Sequence, residues 1–248
     1  MRSTTVDIAT RDGVADAYLV RPDDEGVYPA VLLYQDAFGL RPRLREMADR
    51  IAERGYVVLT PNLLYRGGRS PQFDLSGLAD PDRRAEVIGR IMPFVAGLDN
   101  EKLVSDAGSY LDFLAAREDV APGPVVIVGY CMGGLNALLT IEAYPERVKA
   151  IASFHGARLA TDQPNSPHLK VGTITGELYL AFADNDHSMP AEQIEKLTAA
   201  LDAAGVRYTS EVYKGAEHGF TMADTAAYNE EAEKRHWTTL FDLLDRTR

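Results

Sequence analysis

Short, uninterrupted apolar runs alternate along this chain with longer stretches in which apolar residues recur every three or four positions. The segments TTVDIAT and VADAYLVRP flank Asp12-Gly13, a dipeptide suited to a tight hairpin turn, and predict two antiparallel strands. PAVLLYQ at 29–35 reads as a buried strand. Over 41–54, Leu44, Met47, Ala48 and Ile51 fall on one face of a helix that Gly55 closes, and YVVLTP at 56–61 is the next strand. Residues 64–80 are rich in Gly, Ser and Pro and predict a surface loop. Helices are expected at 82–92 and at 100–118, the latter with Leu103, Ala107, Tyr110, Leu111 and Leu114 on one face. The alternation then repeats: strand 124–129, helix 133–143, strands 148–154 and 177–183, helix 190–204, strand 206–213, helix 224–245. This order predicts an α/β fold with a mostly parallel central sheet, helices on both faces and an N-terminal antiparallel hairpin. Right-handed crossovers would then place functional loops at the carboxyl ends of the strands.

Composition narrows this picture. A chain of 248 residues, 46% of them hydrophobic, suits a single domain spanning 1–248 with a sizeable core. A net charge of −11 disfavours nucleic acid and acidic membrane surfaces as partners and favours solubility. The start, MRSTTVDIATRDG, has no apolar signal core, and runs such as AVLLY and VVIV are too short to cross a bilayer. The one cysteine cannot form an internal disulfide, which fits a reducing compartment. These features predict a soluble cytoplasmic protein, and a monomer or homodimer is expected.

That cysteine lies in VIVGYCMGGLNALL at 126–139, between a buried strand and a helix. Gly129-Tyr130-Cys131-Met132-Gly133 has the form G-x-C-x-G, the pattern of a nucleophile elbow with sulfur in place of the usual serine oxygen. Glycines two positions either side let strand and helix approach closely while the turn exposes the central side chain. A helix N-terminus also favours thiolate over thiol. The competing reading is a buried structural cysteine in a glycine-rich turn.

A thiol nucleophile needs a base. Of five histidines, His218 in KGAEHGFTM follows the last strand, where its loop would overhang the elbow. His236 sits in the charged segment EEAEKRHW and is expected at the surface; His168 lies in a proline-containing loop; His155 either lines the pocket or is structural; His187 is the fifth. The orienting carboxylate is expected in FADNDHSMP, where Asp184 and Asp186 both qualify, or merely cap the helix near Pro190. The order nucleophile, acid, histidine is that of the α/β-hydrolases. No HExxH-like spacing suggests a zinc site, and no cofactor is expected.

These residues carry a family likeness. QDAFGL (35–40), GYVVLTPNLLYR (55–66), VGYCMGG (128–134), DHSMP (186–190) and GAEHGF (215–220) stand in the order found in the dienelactone hydrolases (carboxymethylenebutenolidases), which this chain resembles over most of its length. The resemblance implies an α/β-hydrolase fold and a Cys131–His218–Asp186 triad acting on a carboxylic ester or lactone through a thioester. It places the oxyanion hole on the backbone N–H groups of Met132 and Ala37 and selects Asp186, four residues before Pro190, over Asp184. Two departures follow. Family members carry glutamate where this chain has Asp36, the group implied to hold the resting cysteine as a thiol. They carry arginine, which would bind a substrate carboxylate, where this chain has Met222; Arg83 or Arg84 is a loose match for the family's other such arginine. A more apolar or neutral substrate is therefore expected, against walls drawn from Phe38, Tyr65, Tyr130, His155, Phe220 and Met222. The alternatives are a thioesterase, or a non-catalytic ligand-binding or redox-sensing protein that uses Cys131.

Overall fold

The Asp12-Gly13 turn joins β1 (Arg2–Thr10) to β2 (Gly13–Arg21) in continuous antiparallel register from Thr10 opposite Gly13 to Arg2 opposite Arg21. The computed structural model describes residues 1–78 and 80–248, and by contacts the chain divides into two units, Met1–Val125 and Val126–Arg248. In the first unit β2 also pairs antiparallel with β4 (Val57–Pro61), which pairs in parallel with β3 (Ala30–Tyr34), giving the order β1-β2-β4-β3. Every residue of β3 and β4 is buried, as unbroken apolar runs demand, whereas most of β1 is exposed. Helix α1 (Pro42–Ala52) buries Leu44, Met47, Ala48 and Ile51, the stripe expected from their spacing, and packs on β4 and β2.

Two more helices complete this unit. Helix α2 (Pro81–Ala96) starts at an Asp80 cap and extends past the expected end at 92. Pro93 lies in its last turn, so the helix continues at the cost of the one hydrogen bond that proline, having no N–H, cannot donate. Helix α3 (Asn100–Ala115) is capped by Asp99, whose side chain accepts from the Lys102 N–H, and it buries the five predicted residues together with Asp106. Of the 64–80 segment, Ala79 lies outside the described residues.

In the second unit β5 (Val125–Tyr130), which begins at the last residue of the first, β6 (Val148–Phe154), β7 (Glu177–Ala183) and β8 (Tyr208–Tyr213) follow in that order. The β6–β7 and β7–β8 pairs are parallel. Helix α4 (Met132–Ala143) packs on β6, α5 (Ala191–Ala204) ends at a left-handed Gly205, and α6 (Glu230–Arg246) is capped by Asn229. The last helix starts six residues later than 224, the expected start, because Met222, Thr225 and Tyr228 each donate their N–H three residues back, closing a run of turns before the cap. The carboxyl ends of β5, β6, β7 and β8 therefore carry the loops holding Cys131, His155, residues 184–190 and residues 214–222. Among the described residues no helix is long and apolar enough to cross a membrane.

Candidate active site

The β5–α4 turn has no room for side chains at its flanks. A Cβ on Gly129 would overlap the carbonyl of Gly133, and one on Gly134 would overlap the Ser153 hydroxyl. Cys131 sits between them at φ 56°, ψ −116°, a conformation that costs a side-chain-bearing residue about 1–3 kcal/mol. Hydrogen bonds hold it there: its N–H donates to Phe154 O (3.2 Å), and its carbonyl accepts from Gly134 (3.0 Å) and Ala157 (3.3 Å). Cys131 is half-buried. Met132 is the first residue of α4, so its N–H has no acceptor within the helix.

The loop after β7 separates the two aspartates. Asp186, with its side chain 2% exposed, places Oδ2 2.6 Å from His218 Nδ1. Asp184 instead accepts the Gly215 N–H (3.1 Å) while its own N–H donates to Ala216 O (2.8 Å), tying the acidic loop to the histidine loop. Ser188, which the sequence reading did not single out, closes the group: its N–H and hydroxyl both donate to Asp186 Oδ1, at 2.8 and 2.6 Å. Its N–H bond to the carboxylate two residues earlier forms an Asx turn, which the aspartate alone would allow with any residue at that position.

Charge follows this geometry. Burial favours the neutral forms of both partners, but for Asp186 the hydrogen bond and charge of His218 and the contacts to Ser188 prevail and hold the carboxyl below its ordinary range. Burial likewise opposes protonation of His218. The charge of Cys131, the Asp186 hydrogen bond and a hydrogen bond with the Cys131 side chain outweigh it and push the imidazole up to about 10. His218 thus interacts with both the Asp186 carboxylate and the Cys131 side chain.

Beneath it lies a packed aromatic layer. His155 is fully buried, its Nε2 2.8 Å from Thr221 Oγ1 and its ring edge-to-face with those of His218 (5.3 Å) and Phe220 (5.0 Å). Burial, with smaller effects from His218 and His236, holds His155 neutral, well below its ordinary range. Tyr130, Phe220 and Met222 are also buried, at 0%, 0% and 1% exposure. His236, expected at the surface, is buried: Nε2 lies 2.9 Å from the Tyr130 hydroxyl and the ring packs against Phe154 at 4.2 Å. The charges around it in sequence face outward, while His236 shares its helix face with Ala232, Leu240 and Leu243.

The remaining residues lie in the first unit. Asp36 is buried and clamped by Arg41, whose guanidinium donates to both carboxylate oxygens (2.6 and 2.9 Å); the Phe38 N–H donates to the same carboxylate (3.0 Å). Ala37 and Phe38 pack against Leu78, Val87 and Ile91. The Tyr65 hydroxyl is engaged by Thr10 (2.7 Å) and Asp106 (3.0 Å), and chiefly burial raises it to about 12. Arg83 is exposed and Arg84 half-buried at the start of α2. Among the described residues no three His, Cys, Asp or Glu side chains converge as metal ligands do.

The model of the dienelactone hydrolase family matches residues 15–247. A protein of Synechocystis sp. named "Putative carboxymethylenebutenolidase" is 30% identical over 98% of this chain and 96% of its own. A Bradyrhizobium sp. protein named "Probable 2-oxo-3-(5-oxofuran-2-ylidene)propanoate lactonase" is 27% identical over 96% and 92%. Among solved structures, one titled "Putative Dienelactone Hydrolase" from Klebsiella pneumoniae superposes with a TM-score of 0.82 at 24% identity, covering 97% of each chain. A dienelactone hydrolase-like promiscuous phosphotriesterase from metagenomic libraries gives 0.78 at 22% identity over 99% of each. The chain belongs to the dienelactone hydrolase family: it is a hydrolase with the α/β-hydrolase fold.

Proposed function

We propose that this protein hydrolyses carboxylic esters or lactones by covalent catalysis on Cys131. The observation that carries the reading is the position of His218, whose Nδ1 is bonded to Asp186 and whose imidazole is raised by the neighbouring Cys131 side chain. Cys131 sulfur attacks the substrate carbonyl carbon as the thiolate, with the imidazolium of His218 as its counter-ion. The carbonyl oxygen becomes an oxyanion, which the Met132 N–H stabilises; one such donor contributes about 3 kcal/mol. The intermediate collapses with cleavage of the C–O bond, and the leaving oxygen takes the proton from His218 Nε2. A water molecule then gives a proton to Nε2 as its oxygen attacks the thioester carbon. The C–S bond breaks, the acid is released and Cys131 returns as thiolate beside imidazolium. Asp186 keeps the Nδ1 proton in place throughout.

Met222 supports a neutral or apolar substrate. It stands four residues after the histidine, and a thioether offers no charge to a carboxylate. Turnover of p-nitrophenyl acetate and of a lactone panel by wild type, Cys131→Ala and His218→Ala tests the reading. Wild-type turnover lost in both variants supports it. Activity that survives in Cys131→Ala contradicts it.

A further inference from the structure

The hydroxyl of Ser188 touches both members of the pair that orients the base. Its oxygen lies 2.6 Å from Asp186 Oδ1 and 3.0 Å from His218 Nδ1. A hydroxyl has one proton, and a carboxylate can only accept, so that proton goes to Asp186. Toward His218 the oxygen then has only lone pairs to offer. The 3.0 Å contact is favourable only when Nδ1 carries a hydrogen, which leaves Nε2 as the nitrogen that exchanges protons with the nucleophile. The Nδ1–H is shared between Asp186 Oδ2 and Ser188 Oγ.

We propose that Ser188 is a positioning residue for the catalytic histidine: its hydroxyl locks the Asp186 carboxylate by one oxygen and accepts from His218 Nδ1–H, so that both residues present one geometry to the nucleophile. The inference rests on the Cys131–His218–Asp186 reading above. The backbone is built for the role. Ser188 N–H also donates to Asp186 Oδ1 (2.8 Å), Met189 N–H donates to Asp186 O (3.2 Å), and Ser188 O accepts from Arg158 N–H (2.9 Å). Arg158 takes φ 59° to make that bond. The loop is therefore held from outside, and the hydroxyl loses little freedom in bridging the pair. Asp186 alone could swing about its last torsion; with Oδ1 held by two donors, only Oδ2 is left for the ring.

The titratable groups that face His218 are Cys131 on the elbow, Asp186 on the loop after β7 and His155 after β6, the last buried and neutral. With these unchanged, Ser188→Ala removes only the hydroxyl. The expected result is a kcat lowered roughly tenfold with KM little altered, since one hydrogen bond to a charged group is lost. The alkaline limb of the rate of Cys131 alkylation by iodoacetamide, where the imidazolium loses its proton, moves down by about one pH unit. Ser188→Thr keeps a hydroxyl and restores both quantities toward wild type. A purely structural serine would change the melting temperature without moving the alkylation profile. His218→Ala is measured in parallel. If it leaves alkylation and turnover as in wild type, the triad reading fails. If it abolishes the alkaline limb while Ser188→Ala matches wild type in kcat and profile, the role of Ser188 alone is overturned.

Discussion

Asp186 Oδ2 lies 2.6 Å from His218 Nδ1, although 32 residues separate the two in the chain. The carboxylate is buried and held ionised, and the imidazole is raised to about 10. Asp186→Asn keeps the shape and loses the charge, so Nδ1 no longer faces an anion and the tautomer is free to invert. The expected loss in kcat is about 10³–10⁴-fold, against a small change for Asp184→Asn, which still accepts the Gly215 N–H. Steady-state kinetics of the two variants checks this. Equal losses would contradict the assignment of Asp186.

Glu142 on α4 gives a prediction about stability. It is 7% exposed and neither carboxylate oxygen has a partner. Burial, only partly offset by Lys170, raises it from 4.5 to about 8. Below pH 4.5 the group is protonated folded and unfolded, and it has no effect. Between pH 4.5 and about 8 only the unfolded chain ionises, so folding stability falls by up to about 1.4 kcal/mol per pH unit, levelling off above that range. Glu142→Gln removes this titration. Its melting temperature, measured against wild type across that range, is expected to gain a margin that widens with pH; parallel curves would contradict the assignment.

The clamp between Asp36 and Arg41 is a buried ion pair, with both side chains no more than 5% exposed. Removing one partner strands the other charge in the interior. Arg41→Met alone is expected to destabilise the protein by about 3–5 kcal/mol, and the double variant Asp36→Leu, Arg41→Met by much less. Urea unfolding of wild type, the single variant and the double variant measures this. Equal losses in the two variants would mean that the clamp contributes through packing rather than charge.

Substrate charge provides a further test. With Met222 where the family pattern has arginine, a neutral ester or lactone is expected to be turned over with at least about tenfold higher kcat/KM than the same compound bearing a free carboxylate. Paired methyl-ester and free-acid substrates at constant ionic strength measure the ratio. A preference for the acid would show that another cation of this chain binds the carboxylate.

How much was legible in the sequence depended on how local the signal was. Strands β3 and β5 were plain because runs buried on both faces are continuously apolar, and β6 and β7 because apolar residues dominate them despite Lys149, Ser153 and Glu177. The elbow pattern was plain because Gly129 and Gly133 flank Cys131 at two residues either side, and at Gly129 the structure gives a steric reason for glycine. His236 was misread because a charged neighbourhood says nothing about which helix face a residue takes; its spacing from Leu240 and Leu243 carried the information. Asp184 and Asp186 could not be separated by spacing alone, since each lies in the loop after the same strand and each contacts the histidine loop. The family likeness selected one of them. Ser188 was passed over because its role depends on a ring 30 residues away. The engagement of Asp36 by Arg41 could not be inferred from a loop whose backbone path was unknown.

The central claim is that the substrate's acyl group passes through Cys131. Rapid acid quench of the protein with p-nitrophenyl acetate, followed by intact-mass and peptide mass spectrometry, tests it most directly. The account predicts one added acetyl group, carried on the peptide containing Cys131, formed in wild type and sensitive to hydroxylamine. Steady turnover with no acyl adduct under any quench time, or an adduct on another residue that Cys131→Ala leaves in place, would contradict it.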